Sequence, residues 1–81
     1  MTAEKFNNLP LSKKGDLVFP QGEYMSSIPF GKYELLLYRV GYNFYEVLYN
    51  PVTQIVHDIN VAEKERLHLF SKVNIEELFS T

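Results

Sequence analysis

The sequence has no cysteine and no tryptophan, and only four glycines and four prolines among its 81 residues. Without cysteine the chain cannot form disulfides, thiolate zinc sites, iron–sulfur clusters or a thiol nucleophile. Long hydrophobic runs are also missing: the longest is Leu35–Tyr38, against the roughly 18 apolar residues that a membrane span needs. The first eight residues lack the apolar segment of a secretory signal. We therefore expect a cytoplasmic protein with no membrane segment.

An excess of one charge is also absent. Eight Lys and Arg residues oppose ten Asp and Glu residues, for a formal net charge of −2. Proteins that bind nucleic acids usually present a basic surface, because phosphate contacts supply much of the affinity. The one pair of adjacent basic residues here is Lys13-Lys14. The composition therefore disfavours a nucleic-acid partner.

The hydrophobic content of 46% is ordinary for a globular protein. The length fits one domain over residues 1–81, with residues 1–8 expected to be a flexible N-terminal segment. A chain this short buries a modest fraction of its surface, and small domains often gain stability by self-association. The composition thus predicts a single small domain that is a candidate for forming a homo-oligomer.

Turn-forming residues interrupt the middle of the chain at close spacing, which is typical of a meander of short strands. The predicted strands are residues 23–28, 32–40, 44–49 and 54–59. Connections this short make neighbouring strands antiparallel. Before them, residues 10–19 are predicted to form a short helix, with Pro10 at its first position and Pro20 ending it.

The C-terminal part shows helix-start signals. Asn60 with Glu63 three residues later predicts a helix over 61–71, and a similar pair predicts a short helix over 75–79. Alternating apolar residues over 66–73 leave a fifth strand as the rival interpretation. The predicted fold class is α+β: a short N-terminal helix, a four-stranded antiparallel meander, and two short C-terminal helices packed on one face.

Side chains alternate along a strand, so a tight loop at residues 50–53 assigns the predicted sheet two faces. The first, here the aliphatic face, comprises Leu35, Leu37, Phe44, Leu48, Ile55 and Ile59. The second, here the Tyr-rich face, comprises Leu36, Tyr38, Val40, Tyr45, Val47, Tyr49 and Val56. Both faces are apolar, whereas a sheet with one side in water usually alternates between apolar and polar residues.

If the helices cover the aliphatic face, the Tyr-rich face stays partly exposed, and such a patch usually marks an interaction site. Tyrosine is favoured at interfaces because it combines apolar area with a hydroxyl. We therefore predict a non-enzymatic protein-interaction module that forms a homo-oligomer, such as a dimer, or binds a protein partner. Its predicted contact residues are Tyr38, Tyr45, Val47, Tyr49 and Val56. The alternative is that the N-terminal helix covers this face, which leaves the tyrosines in the core or at its rim.

Arg39, Glu46 and His57 are predicted to lie in a row across three neighbouring strands. Such a row could tune the histidine for catalysis or ligand binding, or it could be a cross-strand ion-pair ladder that only sets register. A lesser alternative is single-stranded nucleic-acid binding, with bases stacked on Tyr38, Tyr45 and Tyr49. The two histidines lack metal-ligand spacing, so the sequence predicts neither a metal site nor a cofactor.

Overall fold

The computed structural model describes residues 1–70. Its four strands form one antiparallel sheet in the order β1-β2-β3-β4, with β1 at Glu23–Phe30, β2 at Tyr33–Val40, β3 at Asn43–Asn50 and β4 at Ile55–Val61. The other elements are helix α1 at Ala3–Asn7, helix α2 at Leu11–Val18 and a 3₁₀ helix at Lys64–Leu69. The predicted meander and the α+β class are thus confirmed, while the predicted helix over 75–79 lies outside the described residues.

Two tight turns connect the first three strands. Gly31 and Gly41 have φ angles of 60° and 61°, and each is the first central residue of a two-residue loop. Type II′ turns place glycine at this position, because a side chain is strained at positive φ. The second loop begins one residue earlier than predicted, which places Tyr38 opposite Tyr45. The register between β2 and β3 therefore differs from the predicted one by two residues. Because side chains alternate along a strand, a shift of two leaves every side chain of β3 on its predicted face.

The loop between β3 and β4 is anchored by Asn50. Its side-chain oxygen accepts hydrogen bonds from the backbone N–H groups of Val52 and Thr53, at 2.9 and 3.2 Å, as expected for an asparagine that initiates a turn. The loop has the predicted length but begins one residue later, because Asn50 pairs with Ile55 and Gln54, with a φ of 62°, is the last loop residue.

A β-bulge at His57 changes the faces of β4. Tyr49 pairs with Val56 and Leu48 pairs with Asp58, so His57 has no partner in the β3–β4 register. An extra residue reverses which later side chains point to each face. As a result the prediction for Ile59 is wrong: this residue lies opposite Val47 on the Tyr-rich face.

Helices α1 and α2 pack on the Tyr-rich face. Phe6 of α1 and Val18 of α2 are buried in one cluster with Val47 and Ile59. Residues 1–8, for which a flexible segment was expected, thus contain helix α1. The hydroxyl of Thr2 caps α1, and burial of the phenyl ring offsets the entropy lost when the segment becomes ordered.

The 3₁₀ helix packs on the aliphatic face. Its Leu67, together with Phe70, joins a second buried cluster with Leu35, Leu37, Phe44 and Ala62. The predicted α-helix over 61–71 is wrong at its start, because Asn60 belongs to β4 and the 3₁₀ helix follows Glu63. The rival fifth strand is wrong for residues 66–69, which are helical. Helices thus cover both faces of the sheet, not the aliphatic face alone as predicted.

Candidate functional site

The predicted interaction surface is largely covered. Val47 is fully buried, and the ring of Tyr45 packs on Phe6 with 4.7 Å between ring centroids. Tyr49 and Val56 pair across β3 and β4 and are half-buried. The five residues therefore do not form an open surface. The alternative in which N-terminal helices cover this face describes the structure, because α1 and α2 supply the apolar residues that the face needs.

Because Phe6 packs on Tyr45, this ring is not part of an open aromatic platform of the kind that base stacking requires. Burial of this side chain raises the pKa of Tyr45 above its ordinary value. Tyr38, its cross-strand partner, is also half-buried, so neither ring is fully open to solvent. In the described part of the chain, Tyr38 and Tyr45 thus do not form a fully open platform.

One corner of the Tyr-rich face stays open. Phe19 and Tyr24 each contact the ring of Tyr38 edge to face, at centroid distances of 5.4 and 5.9 Å. Phe19 is 40% exposed and Tyr24 is 54% exposed. Desolvation of the hydroxyl, followed by the nearby Tyr24, raises the pKa of Tyr38. We call these three residues the aromatic patch. Sequence reasoning assigned Tyr38 to the interaction surface but missed Phe19, which follows α2.

The predicted polar row does not exist. Arg39 donates to Glu23 on β1 at 3.0 Å, and Glu46 accepts a hydrogen bond from Arg66 of the 3₁₀ helix. His57, at the bulge, instead contacts the ring of Tyr33 with 5.1 Å between centroids. The row required registers that three features changed: the earlier β2–β3 loop, the later β3–β4 loop and the bulge. Its three members therefore take part in three separate contacts.

A polar network that the sequence analysis did not single out connects α2 to β4. The ammonium of Lys14, a residue only 4% exposed, donates to Asp58 Oδ1 at 3.0 Å and to Asn60 Oδ1 at 3.2 Å. The amide of Asn60 donates to Asp58 Oδ2 at 3.0 Å. The sequence contained one signal for it, since Lys14 lies four residues before the buried Val18 and shares its helix face.

Opposing effects act on Asp58. Partial burial by itself would raise the pKa of this carboxyl. Hydrogen bonds from Lys14, Asn60 and the backbone N–H of Ile59 outweigh that effect, so the pKa of Asp58 is lower than its usual value. The carboxylate is consequently ionised near neutral pH and stays paired with the buried ammonium.

A pocket of about 190 Å³ opens on the aliphatic face, opposite to the aromatic patch. Its apolar lining comes from Phe30, Leu35 and Leu48. Its polar rim comes from Glu46, Asp58, Asn60 and Arg66. We call it the polar-rimmed pocket. It exists because the bulge at His57 turns Asp58 and Asn60 toward the aliphatic face.

Neither a family model, nor a curated protein, nor a solved structure matches the chain. Residues 1–70 contain no group of three or more His, Cys, Asp or Glu side chains positioned to hold a metal ion. In the same part of the chain, none of the helices is long and apolar enough to cross a membrane.

Proposed function

We propose that this protein is a small non-enzymatic interaction module that binds a second copy of itself through the aromatic patch. The observation that carries the proposal is the exposure of Phe19 and Tyr24 while both rings contact Tyr38. Exposed aromatic side chains in one contiguous patch are typical of protein-binding surfaces, because they bury a large apolar area at low entropic cost.

The size of the chain and the symmetry of the contact favour a second copy as the partner. A domain of 81 residues buries a modest fraction of its surface, and small domains often gain stability by self-association. A two-fold interface brings each residue of a patch opposite other residues of the same patch, so the aromatic rings of two copies can pack on one another.

The contact is expected to use side chains, not an added strand. Within residues 1–70, β1 is an edge strand, and the register with β2 shifts at Met25 between Tyr24 and Ser26. Pro29 pairs with Glu34 and has no N–H to offer a neighbouring strand. A bulge and a proline are features that block edge-to-edge association. Packing of the aromatic patch avoids this obstacle.

Sedimentation velocity over a range of protein concentrations tests the proposal. The parent chain should show a monomer–dimer equilibrium, and Tyr24→Ala should raise its dissociation constant at least about 10-fold, which is the loss expected for an interface aromatic. Phe30→Ala is the matched control. It removes an aromatic ring of nearly equal exposure, 55% against 54%, from the opposite end of β1.

Two results would contradict self-association at this patch. One is a parent protein that stays monomeric at millimolar concentration. The other is a dimer that Tyr24→Ala and Phe30→Ala weaken equally. If the parent is monomeric, binding of a different protein through the patch becomes the hypothesis to test.

A further inference from the structure

The polar-rimmed pocket has the shape and composition of a small-molecule site. Leu35 and Leu48 form an apolar base, and Phe30 adds a ring that is half in solvent. Ligand sites combine an apolar lining with a few polar groups that fix orientation. A volume of about 190 Å³ is below the roughly 300 Å³ at which sites for drug-sized ligands begin. The pocket therefore suits a smaller ligand with an apolar part.

The rim carries charge of both signs, and each charged group retains unused hydrogen-bonding atoms. Arg66 uses its Nε to bind Glu46 Oε1, so within residues 1–70 its two Nη nitrogens and Glu46 Oε2 have no partner. Asp58 Oδ2 accepts a single hydrogen bond there, from Asn60. The available donors thus belong to a guanidinium, and the available acceptors belong to two carboxylates.

The positive and negative charges of the rim each restrict the charge that a bound ligand can carry. A simple anion would meet the carboxylate of Glu46, which repels it, while the charge of Asp58 is offset by Lys14. A simple cation would meet the guanidinium of Arg66. A ligand with a carboxylate and an ammonium on neighbouring atoms satisfies both, because a guanidinium binds carboxylates through parallel hydrogen bonds and carboxylates accept from an ammonium.

We propose that the polar-rimmed pocket binds a free α-amino acid with an apolar side chain. The ligand carboxylate binds the Nη atoms of Arg66, and its ammonium donates to Glu46 Oε2 and Asp58 Oδ2. The side chain lies over Leu35 and Leu48 beside the ring of Phe30. This site is on the opposite face from the aromatic patch and does not depend on self-association.

Backbone-amide NMR titration of the full chain with L-leucine tests this site. We expect saturable shifts at residues that line the pocket, with a dissociation constant between micromolar and millimolar. Isoamylamine lacks the carboxylate of leucine, isocaproate lacks its ammonium, and glycine lacks its side chain. Each of these three should bind at least about 10-fold more weakly, because each leaves one part of the pocket without a partner.

Two variants locate the binding. Arg66→Gln removes the guanidinium, and Phe30→Ala removes the exposed ring without changing any charge. Each should raise the dissociation constant for leucine by a factor of about 5 to 10 or more, which is roughly the effect of losing one good contact. Tyr24→Ala is the control and should bind leucine like the parent. Phe30→Ala and Tyr24→Ala thus have opposite expected effects on leucine binding and on dimerisation.

The proposal is overturned if leucine produces no saturable shifts. It is also overturned if isoamylamine or isocaproate binds as tightly as leucine, because one charge would then be sufficient. Leucine shifts that persist unchanged in Phe30→Ala would place the binding elsewhere and reject this pocket. None of these outcomes affects the sedimentation test of self-association.

Discussion

Lys14 offers the sharpest test of how the helices are held on the sheet. Its ammonium is buried, while the Asp58 side chain that it binds is 48% exposed. The two partners therefore differ in what happens when the other is removed. Asp58 can gain water when the ammonium is lost, whereas Lys14 stays buried without a counter-charge when the carboxylate is lost. We expect the two single substitutions to differ in cost.

The magnitudes follow from the hydrogen bonds. Lys14→Met keeps the apolar stem and removes charge-assisted bonds to Asp58 and Asn60, each of which contributes roughly 1.5–3 kcal/mol when buried. Because water replaces part of that loss at Asp58, we expect a decrease of about 1–2 kcal/mol in the free energy of unfolding. Asp58→Asn leaves the ammonium buried without a counter-charge. Removing one partner of a fully buried ion pair costs roughly 3–5 kcal/mol. Because the Asp58 side chain is about half exposed, we expect Asp58→Asn to lower the free energy of unfolding by about 2–3 kcal/mol.

Urea unfolding followed by tyrosine fluorescence measures these differences, because the chain has six tyrosines and no tryptophan. The double variant Lys14→Met/Asp58→Asn completes the cycle. In the Lys14→Met background the second change should cost less than about 0.5 kcal/mol, since no buried ammonium remains. A cost for Asp58→Asn that is smaller than that of Lys14→Met, or strict additivity in the double variant, would refute this reasoning.

The same pair predicts a pH dependence. The pKa of Asp58 is lower in the folded chain than its usual value, so folding favours the ionised carboxyl. The resulting stabilisation is present above the unfolded-state pKa of about 3.9 and is lost as the pH falls through the folded-state pKa. The stability gap between the parent and Lys14→Met should therefore be largest near neutral pH and should narrow below about pH 4. A gap that stays constant down to about pH 2 would contradict this linkage.

Further predictions concern packing and backbone. Phe6→Ala should destabilise the fold by about 3 kcal/mol in urea unfolding, because it empties the cluster that holds α1; an unchanged midpoint would contradict its burial. Gly22→Ala should lower the melting temperature, because a Cβ there would lie 2.3 Å from the backbone oxygen of Val18. Gly15→Ala, the matched control in α2, should raise stability by roughly 0.5–1 kcal/mol, since its Cβ makes only ordinary contacts. Equal effects of the two alanines would contradict the close approach at Gly22.

Much of the strand arrangement could be predicted because its signals are local. Gly31, Gly41 and Asn50 each set a turn through their own backbone or side chain, so four strands and their antiparallel order follow from sequence. The candidate site could not be predicted in the same way. Its composition depends on Gln54 ending a loop with a positive φ and on His57 forming a bulge, and neither residue type demands that role.

The sequence by itself determined the kinds of elements, the order of the strands and the presence of two apolar sheet faces, because alternation and turn chemistry act over a few residues. Only the tertiary structure decided which face each helix covers and where charge collects. Those outcomes depend on contacts between distant residues, such as the hydrogen bond from Lys14 to Asp58 across 44 positions. A one-residue bulge then placed Asp58 and Ile59 each on the face of the sheet that was not predicted for it. The aromatic patch and the polar-rimmed pocket are the parts of the two sheet faces that these long-range contacts leave uncovered.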